Sequence, residues 1–564
     1  MKYTSNITIK LITTSILALT LIITAPACRR VADNITKVEQ LPDDYPMQAK
    51  DIITQTARYL PKNADFVLFF ASYGALTELI ANIKQWGLFN PDELDALFND
   101  LEIHNGLNPA SLKSWHDAGF DARGGFLLSS FQNSPYAIFR IADRQKFDAF
   151  WDNFVTEEFG RPRTQNSKIA TNNAVQINVL KKDLATIVQL DENTIIIVAG
   201  PEMTSNDETP DFLEAAKNLL SQQEKIAAAP AFLDFTKNSA ELPIAAYLQT
   251  AENTLTKKIP QKYRILLADS AEALTLSANI LPDKLLTQAN IIINSEAENN
   301  TANIFKILKP EKFEPETMKK HLATKPGSAL KISINTAELE EHLPDIAGEN
   351  AAEKWNAIKD KLTIRLAGLN VQTQIIDNFT GTLLLQSYEF EPDLLRGLKK
   401  IEELLNVMAL SLTMDFTHPE TSDAYFNKIN FVKKLIPTGL ALIDNIDGIL
   451  HADISYPKTT NTHIAYKNGT LAAATATAWP ALRKHLAEPP QNTPLDPKFD
   501  PLFDPNNTIA LVLDMQDIIN ILSIQYEAVS VQIANFLRPF NNIALTADTQ
   551  NNNINLTFTA TLNK

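Results

Sequence analysis

The sequence predicts an α+β protein: two tandem copies of a mixed unit, each a mostly antiparallel sheet flanked by helices, after an N-terminal signal helix. Three observations carry this expectation. Segments such as 274–280 and 554–562 alternate apolar and polar residues with a period near two, which suits strands with one wet face. Local patterns of the first half recur in the same order in the second, the signature of an internal repeat. Strand and helix patterns do not alternate without break, and no buried parallel-sheet signature is present.

Residues 1–27 have the three parts of a secretory signal. Lys2 and Lys10 form a short basic start, residues 11–24 are apolar or weakly polar, and Ala25-Pro26-Ala27 supplies small residues for cleavage. Cys28 follows at once and is the only cysteine of the 564 residues. Ala25 and Ala27 suit the ordinary signal peptidase. A small residue before Cys28 also suits the lipoprotein peptidase, although Ala25 and Pro26 depart from the Leu-[Ala/Ser]-[Gly/Ala]-Cys pattern. The expectation is a lipidated Cys28, with a soluble periplasmic protein as the alternative. An uncleaved anchor fits less well, because the apolar run is short of the roughly 20 residues a span requires. Arg29 and Arg30 behind it also oppose the positive-inside bias. Arg29 is not the Asp that marks inner-membrane retention, so the expected address is the outer membrane, facing the periplasm.

The charge balance limits the partners. The chain has 51 Lys and Arg against 66 Asp and Glu, a formal charge of −15. Loss of residues 1–27 would remove Lys2 and Lys10 and no acid, making the remainder more acidic still. An acidic surface repels phosphate backbones, which excludes nucleic acid as an expected partner. The membrane, reached through the N-terminal lipid, is the first expected partner, and an envelope protein or a lipid is the second. A single cysteine allows no intramolecular disulfide, so the core must hold itself.

Residues 28–58 read as a tether and 59–300 as the first copy. The first copy opens with a proline-led strand, Pro61 to Phe70, and an amphipathic helix, Leu76 to Ile83. Residues 301–325 form a polar junction. The second copy, 326–564, opens in the same way with Pro326 to Ile334 and Leu339 to Ile346. Residues 121–130 resemble 377–386, and the hairpin 184–199 resembles 463–475, whose Asn468-Gly469 turn is a strong hairpin signal. Residues 244–248 then resemble 509–513, and 276–279 resemble 545–548. A helix-patterned insertion near 394–410 has no counterpart in the first copy, and the proline-rich loop 486–505 lies inside the second.

Candidate chemistry is sparse. Phe147, Phe150, Trp151 and Phe154 fall at i, i+3, i+4 and i+7 on a helix capped by Asp143. They would line an apolar ligand groove or, on the plainer reading, pack into the core. In the second copy Tyr425, Ile429 and Val432 fall in the same register. Eight histidines are present, with no i, i+4 pair and no Cys ligand beyond Cys28, so no metal and no cofactor are expected. Trp115-His116-Asp117 reads as a turn with a locally satisfied imidazole rather than part of a catalytic group. Gly124-Gly125 lacks the rest of a phosphate loop and reads as a bend entering a strand, with Gly381 its counterpart. No Gly-x-Ser-x-Gly elbow and no isolated acid pair point to catalysis.

The proline-led strand and helix, followed by a strand-rich middle with a helix like Asp143–Val155, resembles uncharacterised bacterial exported proteins grouped as a domain of unknown function. Their members often carry a signal peptide or a lipobox. The resemblance implies no activity and no site residues. The function expected from the sequence is a non-catalytic, membrane-anchored binding or scaffold lipoprotein of the envelope. A carrier of lipid or another apolar ligand is the alternative, and an envelope hydrolase a distant third.

Overall fold

The computed structural model describes residues 55–562, apart from short loops and the segments 200–210, 250–270, 294–305, 309–314, 389–407, 434–442, 489–495 and 520–536. Ala25, Ala27, Cys28 and the rest of the signal and tether up to residue 54 lie outside the described residues, as does most of the insertion near 394–410. Among the described residues no helix is long and apolar enough to cross a membrane. The fold is mixed helix and antiparallel sheet, and the chain divides into two compact units between Ile292 and Ile293.

Among the described residues the first unit contains ten strands: β1 (Phe66–Phe70), β2 (Phe126–Phe131), β3 (Ser134–Arg140), β4 (Arg163–Ile169), β5 (Asn172–Val179), β6 (Lys182–Asp191), β7 (Thr194–Ala199), β8 (Ile244–Gln249), β9 (Ala271–Ile280) and β10 (Lys284–Ile293). They lie in the order β4-β5-β6-β7-β3-β2-β1-β8-β9-β10. Period two in β1 sends Val67 and Phe69 to one face and Leu68 and Phe70 to the other. Val67 and Phe69 join Leu127, Ile138, Ile196 and Val198 in a core closed by Phe212, Ala216 and Leu219 of α5 (Phe212–Ser221) and Phe232 and Phe235 of α6 (Pro230–Ser239).

The opposite face is aromatic. Phe70 stacks on Phe126 at 4.5 Å between ring centroids, and Tyr73 and Phe120 lie against Phe126 and Phe139. This layer is covered by α1 (Tyr73–Gln85), α3 (Leu112–Asp117) and α4 (Arg144–Phe159), with α2 (Pro91–Asn105) packed on α4. The predicted cap is present: Asp143 Oδ1 accepts from the backbone N–H of Gln145 and Lys146 at 3.0 and 3.1 Å.

The described residues of the second unit also form ten strands: β11 (Pro326–Ser333), β12 (Phe379–Tyr388), β13 (Leu410–Phe416), β14 (Ile443–Ile446), β15 (Ile449–Ser455), β16 (Asn461–Lys467), β17 (Thr470–Thr475), β18 (Asn507–Asp514), β19 (Phe540–Gln550) and β20 (Asn553–Leu562). Their order is β14-β15-β16-β17-β13-β12-β11-β18-β19-β20. The sequence of connections therefore repeats strand for strand: the first strand of each sheet is central, flanked by the second and the eighth. Its helices are α7 (Pro315–Lys319), α8 (Thr336–Ala347), α9 (Glu349–Leu362), α10 (Pro419–Lys433), α11 (Trp479–Ala487) and α12 (Asp500–Phe503). The β16–β17 turn places Asn468 at φ 47° and Gly469 at φ 81°, the left-handed pair of a two-residue hairpin turn.

Some boundaries move. The tether was expected to run to residue 58, but Thr56 and Ala57 are buried and Ala57 belongs to the first core. The junction 301–325 is not a bare linker, because α7 lies in it, and Met318 of α7 and Leu322 beyond it are buried in the second unit's core. Leu410 opens β13 instead of closing an inserted helix. His116 and Asp117 sit at the end of α3, not in a turn, and both are exposed with 3.6 Å between Nδ1 and Oδ1.

Candidate functional site

One face of the second sheet is chemically unlike its counterpart. In the first unit Phe69, Leu127, Ile138 and Ile196 stand opposite one another across four strands, all fully buried. In the second unit the corresponding row is Lys331, Leu384, Thr413 and Ala472. One row further, Asp415 stands opposite Thr470, and Ser333 opposite Thr382. Lysine, threonine and alanine stand where the first sheet has large apolar side chains, and the apolar core divides. One cluster gathers around Leu322, Phe499 and Val512, and another around Ala465, Ala474 and Leu482.

A cavity of about 400 Å³ lies on this face. Its floor is Thr380, Thr382 and Leu384 of β12, Thr413 and Asp415 of β13 and Thr470 of β17. Lys320 and His321, just past α7, and His485 and Leu486 of α11 cover it, and Lys467, Asn468 and Gly469 of the hairpin turn edge it. The volume suits a small ligand.

His321 and Asp415 are its chemical centre. His321 Nε2 lies 2.8 Å from Asp415 Oδ2, and Thr470 Oγ1 donates to Asp415 Oδ1 at 2.8 Å. Both carboxylate oxygens are thus engaged, and the pair is only 12% and 17% exposed. A carboxylate so held is a fixed negative pole and fixes the imidazole beside it. His485 is buried, and burial, then the neighbouring His321, lower its pKa, while a hydrogen bond to the Lys320 backbone carbonyl opposes them. A neutral His485 carries a lone pair on one nitrogen. Its Nε2 is buried without a hydrogen-bond partner, as is Thr382 Oγ1. A buried polar atom left unsatisfied costs about 1–3 kcal/mol, which a ligand with matching donors and acceptors would recover.

The residues singled out in the sequence lie elsewhere. Phe147 and Phe154 are buried, Phe150 and Trp151 partly so. Phe147 meets Phe120 edge-on at 5.4 Å and stacks on Trp151 at 6.1 Å. The four rings are the core face of α4, so the groove reading gives way to packing. In the second unit Tyr425 of α10 is buried, while the side chains of Ile429 and Val432 lie outside those described. Gly125 sits against the Phe70 carbonyl and Gly381, at φ 81°, against that of Ile334, so both glycines serve close backbone approach.

The sequence showed His321 and His485 only as members of a set of eight. Their partner Asp415 arrives from another strand and Thr470 from a third, and the face is defined only once the register is known. Polar side chains at alternate positions, Thr380 and Thr382, then Thr413 and Asp415, were the one visible signal.

No family model matches the chain, and no curated protein matches it. Among solved structures, TP0453 in its crystal form IV matches with a TM-score of 0.26 and 12% identity, covering 42% of this chain and 79% of that one. Crystal form III gives 0.26 and 12%, covering 46% and 88%.

Proposed function

We propose that the chain is a lipid-tethered, non-catalytic binding protein of the bacterial cell envelope, whose second unit takes a small polar ligand. The observation that carries the reading is the cavity around His321 and Asp415, with two buried polar atoms, His485 Nε2 and Thr382 Oγ1, awaiting partners. Lys320, Lys467 and the threonine hydroxyls suit a ligand that combines hydroxyl groups with an anionic group. Recognition is favoured over turnover because, among the described residues, neither Ser nor Cys lines the cavity, and Thr470 is committed to Asp415.

Two further parts belong to the same reading. The chain is a duplication of one α+β unit, supported by the repeated strand order and by the matched rows Phe69 to Ile196 and Lys331 to Ala472. The second copy then diverged toward binding while the first kept an apolar core. The anchor is Cys28, supported by the Ala25-Pro26-Ala27 site before it, and it would hold the protein at the outer membrane facing the periplasm. The resemblance to exported proteins of unknown function accords with this address. The carrier of apolar ligands fits less well, since an apolar ligand would leave His485 Nε2, Thr382 Oγ1 and the His321–Asp415 pair without polar partners.

Thermal-shift titration of the purified chain against sugar phosphates and hydroxylated dicarboxylates tests the binding. The expected result is a saturable rise in Tm for one class, abolished in Asp415→Asn. Absence of any shift, or a shift indifferent to Asp415→Asn and His485→Phe, would remove the reading. Metabolic labelling with a lipid precursor, compared with Cys28→Ser, tests the anchor; an unlabelled wild-type chain would leave plain secretion.

A further inference from the structure

The sheet face that carries the cavity also holds three other converging side chains, on β15 and β16. His451 and Asp453 are two residues apart on β15 and share a face, and His463 on β16 stands directly opposite Asp453. His451 Nε2 lies 3.0 Å from His463 Nδ1 and 2.9 Å from Asp453 Oδ1, and His463 Nδ1 lies 2.5 Å from that same oxygen. We propose that His451, Asp453 and His463 form a binding site for one divalent transition-metal ion, of which zinc is the first candidate.

The proton count favours a cation. A carboxylate oxygen offers only lone pairs, and a neutral imidazole has one N–H and one bare nitrogen. If one of the two facing nitrogens carries a proton, the other turns a lone pair toward the Asp453 oxygen. If both carry protons, the two N–H groups oppose each other at 3.0 Å. No assignment satisfies all three pairs. A single cation among the three atoms satisfies them together, with both imidazoles neutral.

The dimensions agree. Zinc binds imidazole nitrogen and carboxylate oxygen at about 2.0–2.2 Å. A point at that distance from all three atoms exists roughly 1.2–1.5 Å out of their plane. Two histidines and one carboxylate leave further coordination positions open, as in sites that hold a water or an exogenous ligand. Asp453 is half exposed while His451 and His463 are 7% and 16% exposed, so the site has a solvent side and a buried side.

The rings are also held in place. Trp479, at the start of α11, stacks on His451 at 4.3 Å and on His463 at 5.2 Å, with interplanar angles of 11° and 10°. The two imidazoles are themselves within 18° of parallel. Rings clamped in this way keep their nitrogens in place, which lowers the ordering cost of taking up an ion. The site uses no residue of the cavity and stands independently of the ligand proposed there.

Isothermal titration of the chelator-stripped full chain with zinc chloride is the test, with circular dichroism to check the fold. The expected result is one zinc per chain, with affinity reduced more than about 100-fold in His463→Ala and in Asp453→Asn, since even loss of outer partners costs about 10–100-fold. Asp453→Asn changes a half-exposed side chain and serves should His463→Ala misfold. Cobalt should quench Trp479 emission in the wild type and leave Trp479→Phe with the remaining, unquenched signal. A wild-type chain that takes up no zinc, or folded variants that bind it as the wild type does, would overturn the site.

Discussion

Phe69 and Lys331 occupy the same frame in their respective sheets: each is fully buried on the central strand, between a leucine (Leu127 or Leu384) and an alanine (Ala245 or Ala510). A lysine in the frame of a phenylalanine is costly to bury. Its ammonium donates to the Asp504 backbone carbonyl at 2.9 Å, and burial lowers its pKa to about 8 against the nearby Asp504 charge.

The first prediction concerns that lysine. Below pH 8 it is charged in both the folded and the unfolded chain, and the burial cost is fully present. Between pH 8 and the ordinary lysine value of 10.5 the folded chain has released the proton while the unfolded chain keeps it, so stability rises with pH. The gain across that window is at most roughly 3 kcal/mol. Lys331→Met should abolish this rise, measured as the difference in denaturant midpoint between variant and wild type from pH 7 to pH 10. A variant with the wild-type pH profile would place the charge in water.

His485 gives the opposite end of the pH scale. Its folded pKa lies below the ordinary histidine value of 6.5, so its share of stability is complete above that value and is lost as pH falls toward the folded pKa. The loss has a slope of at most about 1.4 kcal/mol per pH unit. Thermal melts between pH 7 and pH 5 should fall less steeply for His485→Phe than for the wild type.

Two glycines should resist a single methyl group. A Cβ on Gly125 would overlap the Phe70 carbonyl oxygen, and one on Gly381 would overlap that of Ile334. Gly381 adds a φ of 81°, which L side chains rarely adopt. Gly381→Ala and Gly125→Ala should each cost on the order of 2–3 kcal/mol. Gly448→Ala, where φ is 75° and no neighbouring atom stands within 4 Å, isolates the conformational part and should cost less.

The aromatic face of α4 should behave as core. Phe147→Ala should lose about 3–5 kcal/mol, the usual cost of emptying a buried phenylalanine site. Binding of a hydrophobic dye to the folded wild type should be weak. Strong dye binding quenched by Phe147→Ala without destabilisation would restore the groove.

The sequence was legible where a signal is local. Alternation marked β9 and β20, the Asn468-Gly469 pair marked a hairpin, and Asp143 marked the cap of α4. Each is decided by residues within a few positions of one another. The cavity was not legible, because Asp415, Thr470, His321 and His485 come from four separate elements and meet only through strand register and helix placement. The His451 cluster failed for a related reason. A helical metal pair announces itself at i, i+4, whereas a cross-strand pair has no fixed spacing, and the loop between β15 and β16 sets the interval between His451 and His463. Phe147 and its neighbours show the converse: a clear periodicity marks a buried face without saying what it buries.

The strand order has one more consequence. Among the described residues β4 and β14 each pair on one side only, β4 with β5 and β14 with β15. β4 is Arg-Thr-Gln-Asn-Ser-Lys-Ile, largely exposed, and β14 is four residues long. A charged ribbon and a stub are poor templates for another chain's backbone. The open margins of both sheets are thereby guarded against cross-β association, and copies crowded together should stay dispersed rather than zip into fibrils.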